Sequence, residues 1–252
     1  MTGPSMSLHL LNGPYAVVGG SRRAIPEGSK RLLVLVATRG RVTRRAAAEI
    51  LWPNVESLRA AGNLRSAAWR LRCADLPLLV DADGALRLRA EVEVDIERLC
   101  REAATSTASQ SCKDDRRLLA AAVDALDLLP GWYEEWICLE RERLRTTMLS
   151  VIDAIADRLR RAGRCAEAID AALVAVMADP LRDSSQAVLI TAHLGEGNLG
   201  EARRAFGAYR RVLRAEFGIE PPEWLRRQVG GIAAPVTAHP RLTNGRDVAA
   251  TA

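Results

Sequence analysis

The chain has no paired cysteines, no phosphate-gripping glycine loop, almost no lysine and few aromatic side chains. Its five cysteines, Cys73, Cys100, Cys112, Cys138 and Cys165, stand far apart, with no C-x-x-C pair and no histidine at ligand spacing. That argues against a zinc site or a disulfide framework and leaves buried free thiols in a reducing cytoplasm as the expectation. No G-x-G-x-x-G or P-loop pattern occurs, and Gly19-Gly20 between two strand-like runs reads as a turn. The three histidines are scattered: His9 in a strand, His193 on a helix and His239 near the end of the chain. Acids gather at Glu134-Glu135 and in Glu140-Arg141-Glu142-Arg143 without metal-ligand spacing, and the latter reads as a salt-bridged helical face. The chain therefore offers no basis for an enzyme, a metal or a cofactor. No apolar run reaches membrane-spanning length, and Met1–Tyr15 lacks the charged-then-apolar order of a secretory signal, so a cytoplasmic, nucleoid-associated protein is expected.

What the chain does have is arginine. Of 36 basic residues only Lys30 and Lys113 are lysine, a bias of high-GC coding rather than of function. Their distribution is more telling. Residues 1–90 carry 14 basic against 6 acidic residues, +8, whereas the remainder carries 22 against 25, −3. A part drawn to a polyanion is joined to one that is not.

The basic part contains a helix with two faces. At about 100° per residue, Ala61, Leu64, Ala68 and Leu71 form one apolar stripe, and Arg59, Asn63, Ser66 and Arg70 form another within roughly 60° on the opposite side. Arginine, amide and hydroxyl are the groups that read base edges and phosphates. A solvated surface helix has a similar outline, but it usually interleaves acids, and none occurs between Leu58 and Ala74. A shorter helix precedes it from Thr43, the predicted N-cap, to Leu51, with Ala47, Ile50 and Leu51 inward. Trp52-Pro53 breaks the two apart. Helix, break, arginine-faced helix is the order of a helix-turn-helix.

Around this pair, residues 8–11 and 15–18 are strand-like and flank the turn Asn12-Gly13-Pro14, and a third short strand is expected near Ala24-Ile25. An apolar helix runs from Ser29, its expected N-cap, to Gly40. Residues 78–80 and 85–89 form a hairpin across Asp81–Gly84, with Arg87 and Arg89 on one face. Val92–Asp95 is a last strand or connector. A small sheet, three helices and a terminal hairpin make a winged helix-turn-helix over residues 1–94.

A helix follows from Asp95 to about Ala104, then a Ser/Thr-rich loop at 105–111, then an almost unbroken helical pattern from Lys113 to Val229. Inside it, Gly163-x-x-x-Glu167-Ala168 recurs as Gly197-x-x-x-Glu201-Ala202, the 34-residue tetratricopeptide period. Pro180 closes the first unit and Phe206 takes the large inward position of the second, while Arg214 stands where a second closing proline would fall. A third helical pair is expected at 113–149, and a generic helical bundle is the alternative. The fold class is thus mainly α with small β: a winged helix-turn-helix, an all-α TPR-like domain over 95–230, and a disordered tail at 231–252.

Four segments together resemble a known family: Leu51-Trp52-Pro53; Gly62-Asn63-Leu64-Arg65-Ser66-Ala67-x-Trp69-Arg70-Leu71; Leu129-Pro130-Gly131-Trp132-Tyr133-x-x-Trp136; and Ala205-Phe206-x-x-Tyr209-Arg210 through Glu216–Pro221. They are similar to the SARP-type regulators of actinobacteria, which join an OmpR-type winged helix to a bacterial transcriptional activation domain of TPR-like helices. The resemblance covers about residues 8–228. It implies binding of direct repeats in double-stranded DNA near promoters, by protomers that associate side by side. It also implies recruitment of RNA polymerase, often at secondary-metabolite genes. Larger relatives add an ATPase module, and this chain ends before one, so nucleotide control is not expected.

In that reading Arg59, Asn63, Ser66 and Arg70 face the bases, and Arg65 and Arg72 hold phosphates at the edges. Arg44 and Arg45 clamp the backbone at the start of the preceding helix, and Arg87 and Arg89 reach backbone or minor groove from the wing. Asn54 and Glu56, in the turn after Trp52, are the candidate polymerase contact; the alternative is that Trp52 only plugs the core. Two rival functions stay open: a TPR-like scaffold whose basic module docks on an acidic protein, and a repressor.

Overall fold

The computed structural model describes residues 6–108 and 115–230, the first stretch with side chains to residue 105. Cys112, His239 and the tail expected at 231–252 lie outside them.

Alternating burial shapes the first sheet. Met6 and Leu8 of β1 (Met6–His9) point inward, and Asn12 and Gly13, both at left-handed φ, turn the chain into β2 (Tyr15–Val18). Gly19 and Gly20 turn it again into β3 (Ser21–Ala24), and the expected Gly-Gly turn is a two-residue hairpin with Val18 opposite Ser21. With β7 (Val92–Val94), parallel to β1, the order is β3-β2-β1-β7.

Helix α1 (Glu27–Arg39) buries six consecutive residues, Leu32 to Ala37, which a helix shows only when covered all round. It ends at Gly40, as expected. Its start differs: Pro26 is the N-cap, and Ser29 lies buried inside the first turn. The strand β4 (Arg41–Thr43), absent from the sequence expectation, joins the hairpin β5 (Leu79–Ala82) and β6 (Ala85–Leu88) in the order β4-β6-β5. The hairpin loop shortens from four residues to two, because Asp83 and Gly84 both take the left-handed conformation of a tight turn.

Asp95 joins the two halves of the molecule. It opens α4 (Asp95–Ala108), and its buried carboxylate accepts hydrogen bonds from Leu10 N–H and Leu11 N–H at the end of β1, each at 3.0 Å, and from its own Ile96 N–H at 2.8 Å. Helix α4 extends past the predicted boundary, so Thr105–Ala108 is helical rather than loop. Next come α5 (Asp115–Asp124), a 3-10 turn at Ala125–Asp127, and α6 (Glu135–Arg161). The array closes with α7 (Cys165–Ala178), α8 (Asp183–Gly195), α9 (Leu199–Phe217) and α10 (Glu223–Gly230). One hydrophobic core runs from β1 and α1 through α3 (Ser57–Cys73) into α5, α6 and α7.

The 34-residue period has a backbone cause. Gly163 and Gly197 both take left-handed φ after α6 and α8, and the bonds Arg164 N–H to Leu159 O and Asn198 N–H to His193 O, each 2.9 Å, repeat the same helix stop. Ala168 and Ala202 are fully buried one turn later, where neighbouring helices touch. The large inward side chain of the second unit is Tyr209 rather than Phe206, which is only half-buried. The Tyr209 hydroxyl donates to Asp183 at the start of α8, and the cost of burying that hydroxyl is met by the carboxylate. The thiols depart from expectation too: Cys73 and Cys138 are exposed, and Cys100 and Cys165 are half-buried.

After α9, Glu220 accepts from Arg210 Nε at 2.6 Å and lies against Arg214. The hydrogen bond from Arg210, with that from Arg214 and the charge of both, holds its carboxyl below the ordinary glutamate range. A carboxyl with a lowered folded pKa stabilises the fold above its unfolded value, near 4.3, and that contribution is lost as pH falls through the folded value. The Glu220 side-chain carbon should therefore titrate by NMR below about 4.3. A midpoint at or above that value would mean that the Arg210 pair does not persist in solution.

Candidate nucleic-acid interface

Helix α2 (Arg44–Leu51) is capped by Thr43, whose hydroxyl accepts from Ala46 N–H at 3.2 Å. Ala47, Ala48 and Leu51 bury it, and Ile50 packs at the core edge. The turn Trp52–Glu56 follows, with Trp52 half-buried against the core and Asn54 and Glu56 exposed. It feeds α3, which is seated by Ala60, Leu64, Ala67 and Leu71. The Ser29 hydroxyl of α1 donates to Ala67 O at 2.7 Å. Small residues at 60 and 67 let the neighbouring helices approach closely enough for that bond.

The inward stripe thus contains Ala60 and Ala67 in place of the predicted Ala61 and Ala68, which are half-buried. At about 100° per residue this turns the buried face by roughly 50°. The outermost line of α3 now passes through Leu58, Gly62, Trp69 and Cys73, with Arg65 and Arg72 on one flank and Arg59 and Ser66 on the other. Leu58 and Trp69 are 79% and 59% exposed.

The four residues of the predicted reading stripe are accordingly divided. Arg59 and Ser66 stand at the exposed flank, and Asn63 is half-buried. Asn63, Ser66 and Arg70 line a cleft of about 540 Å³ with Glu27, Arg31, Trp132 and Glu134. Arg31 crosses that cleft to Glu134 at 2.5 Å, tying α1 to the segment before α6. Arg70 lies along Gly28 so closely that a Cβ there would be 2.6 Å from its guanidinium.

Charge separates the basic residues further. Among the described residues no carboxylate is within ion-pair distance of Arg59, Arg65, Arg70 or Arg72 on α3, nor of Arg89. Arg44 bonds Asp81 through Nε at 2.6 Å, linking α2 to the hairpin, and Arg45 bonds Glu49 at 2.8 Å. Arg87 lies 3.9 Å from Asp83. In the wing, Arg87 and Arg89 are both exposed, with Leu86 buried and Leu88 half-buried beside them, and Arg89 lies just past the end of β6. Arg41 on β4 sits directly opposite Arg87 in the ladder. Two like charges facing each other across strands are unfavourable unless an anion joins them. Nothing in the sequence pattern marks Arg41, because three residues are too few to display a strand's alternation.

A family model described as the bacterial transcriptional activator domain matches residues 94–232, more than half of the chain. The regulatory protein AfsR of Streptomyces coelicolor is 28% identical over 205 residues, covering 78% of this chain and 21% of that protein. The chain therefore spans about a fifth of that relative's length. Mycobacterium tuberculosis EmbR, solved in complex with a low affinity phosphopeptide, matches with a TM-score of 0.76 over 90% of this chain and 64% of that one. At 17% identity this is a likeness of fold, a winged helix joined to the same kind of helical domain.

Proposed function

The chain belongs to the bacterial transcriptional activator domain family, and from that premise we propose that it is a SARP-type regulator that activates transcription by binding direct repeats in double-stranded DNA and recruiting RNA polymerase. The observation that carries the reading is the outer surface of α3: four arginines without carboxylate partners among the described residues, on a helix locked into the core by its opposite face. In this reading residues 1–94 form the DNA-binding unit and residues 95–230 the activation unit. Arg59 and Ser66 reach base edges, Arg65 and Arg72 meet bases or phosphates across the same face, and Arg87, Arg89 and Arg41 approach the backbone from the wing. Arg44 and Arg45 exchange Asp81 and Glu49 for phosphates. Asn63 and Arg70 work at the flank, where Arg70 must leave Gly28 to touch DNA. Protomers associate side by side on the repeats, and secondary-metabolite genes are the proposed targets.

The test is selection from random duplex DNA with the purified chain, followed by titration of the winner at two salt concentrations. A spaced direct repeat bound about 10³-fold tighter than random duplex supports the reading. Weak binding indifferent to sequence would instead favour a basic module that docks on an acidic protein. The selected duplex should also slow alkylation of Cys73, at the exposed end of α3, several-fold while leaving Cys138 on α6 unprotected. Equal labelling of Cys73 with and without DNA would remove α3 from the interface.

Polymerase recruitment is assigned to the exposed turn at Asn54 and Glu56. The double variant Asn54→Ala, Glu56→Ala should bind the selected duplex like the wild type yet lose most activation in reconstituted transcription. Undiminished activation would leave Trp52 as the turn's sole contribution, a plug for the core. Transcription lowered by the wild-type chain would identify a repressor.

A further inference from the structure

Two glycines interrupt helices of the DNA-binding unit, and only one of them has a close neighbour inside the molecule. A Cβ at Gly28 would come within 2.6 Å of the Arg70 guanidinium, the end of an exposed side chain that would have to move aside. Gly62 makes room for nothing: a Cβ there would meet only Arg65 Nη2, at 3.8 Å, an ordinary contact. Glycine in mid-helix weakens the helix relative to alanine, so Gly62 costs stability without an internal return.

Trp69 presents the same imbalance. It lies two turns beyond Gly62 and within about 20° of it around the axis. It is 59% exposed, on a helix whose buried face Ala60, Leu64, Ala67 and Leu71 already complete. A half-buried backbone with no side chain over it and an indole left in water share the outermost line of α3. Their separation of seven residues is about 10.5 Å, near three base-pair steps of about 3.4 Å. The line is flanked by Arg59, Arg65 and Arg72, with no acid from residue 59 to residue 73. Such a rim suits a polyanion, and the same face of a second copy would set arginine against arginine.

We propose that Gly62 and Trp69 form an apolar reading element for the major groove. The helix backbone at Gly62 closes on the duplex, and the Trp69 indole packs against the C5-methyl group of one thymine. A thymine methyl is the one apolar group on the groove's base edges, which makes Trp69 a determinant of sequence rather than of general affinity. This rests on the DNA-binding reading above, which the selection from random duplex tests on its own.

The experiment uses the full chain and the duplex it selects, with each thymine replaced in turn by deoxyuridine, which lacks only the methyl. One replacement is expected to weaken wild-type binding about 3–10-fold, the value of one buried methyl. Trp69→Ala binds the parent duplex more weakly and no longer distinguishes thymine from uracil at that position. Gly62→Ala melts about 2–4 °C above the wild type and binds about tenfold more weakly, a split that a merely structural glycine would not give. The melting curves of both variants also certify that they fold. The proposal is overturned if no thymine is sensitive, if Trp69→Ala keeps the sensitivity, or if Gly62→Ala binds as tightly as the wild type. A wild-type chain that selects no sequence at all removes the underlying reading as well, and is a distinct result.

Discussion

Replacing Arg65 and Arg72 together by alanine is expected to lower affinity for the selected duplex by about 10²–10⁴-fold, taking roughly 1–3 kcal/mol for each good contact, with little change in melting temperature. Both side chains are exposed and neither has a carboxylate within ion-pair distance among the described residues, so their loss removes no bond inside the protein. The pair Asn63→Ala, Arg70→Ala should cost less, because Asn63 is half-buried and Arg70, though exposed, lies along Gly28 at the cleft and away from the outermost line of α3. Arg45→Ala should behave differently again. Its guanidinium already shares Glu49 at 2.8 Å, and as a phosphate contact it should weaken all sequences alike and flatten the salt slope by about one. Binding isotherms at several salt concentrations separate the three classes. If Asn63 and Arg70 outweigh Arg65 and Arg72, the predicted reading stripe is the working face, and α3 must turn against α1 to present it.

That contest traces back to what an alanine-rich sequence can and cannot encode. Leu64 and Leu71 marked the inward side of α3 unmistakably, but Ala60, Ala61, Ala67 and Ala68 are equal as apolar residues. Choosing between the pairs took a contact no periodicity contains, the bond from Ser29 to Ala67. Ser29 itself was legible as a capping residue and not as a tether, because Pro26 three positions earlier sets the helix start. Stops encoded by glycine were read well: Gly40, Gly163 and Gly197 all end helices where expected, since left-handed φ is a local demand with a local solution. Strand β4 is illegible for the opposite reason. Its three residues exist as a strand only because β6 lies beside them, and the placement of Arg41 opposite Arg87 is equally non-local.

Removing one carboxylate should have the largest effect on stability. Asp95→Ala is expected to destabilise the protein by about 3–5 kcal/mol, because it strands one buried and two half-buried donors and removes charge-assisted bonds at once. The donors are Leu10 N–H and Leu11 N–H, at the end of a strand, and Ile96 N–H, in the first turn of a helix whose dipole favours an anion there. Among the described residues no other acceptor takes them, since β1 pairs with β2 and β7 only as far as His9 and Leu8. At about 2–4 °C per kcal/mol for a chain of this size, the melting temperature should fall by about 10 °C. Asp95→Asn keeps one acceptor oxygen, turns its amide toward the remaining N–H groups, and should fall between the variant and the wild type. The position matters beyond stability. Asp95 is where the strand that carries the winged helix meets the first helix of the activation domain, within a core common to both. A loss confined to less than about 1 kcal/mol, the range of an ordinary exposed cap, would mean that water replaces the carboxylate and that the shared core alone holds the two halves together.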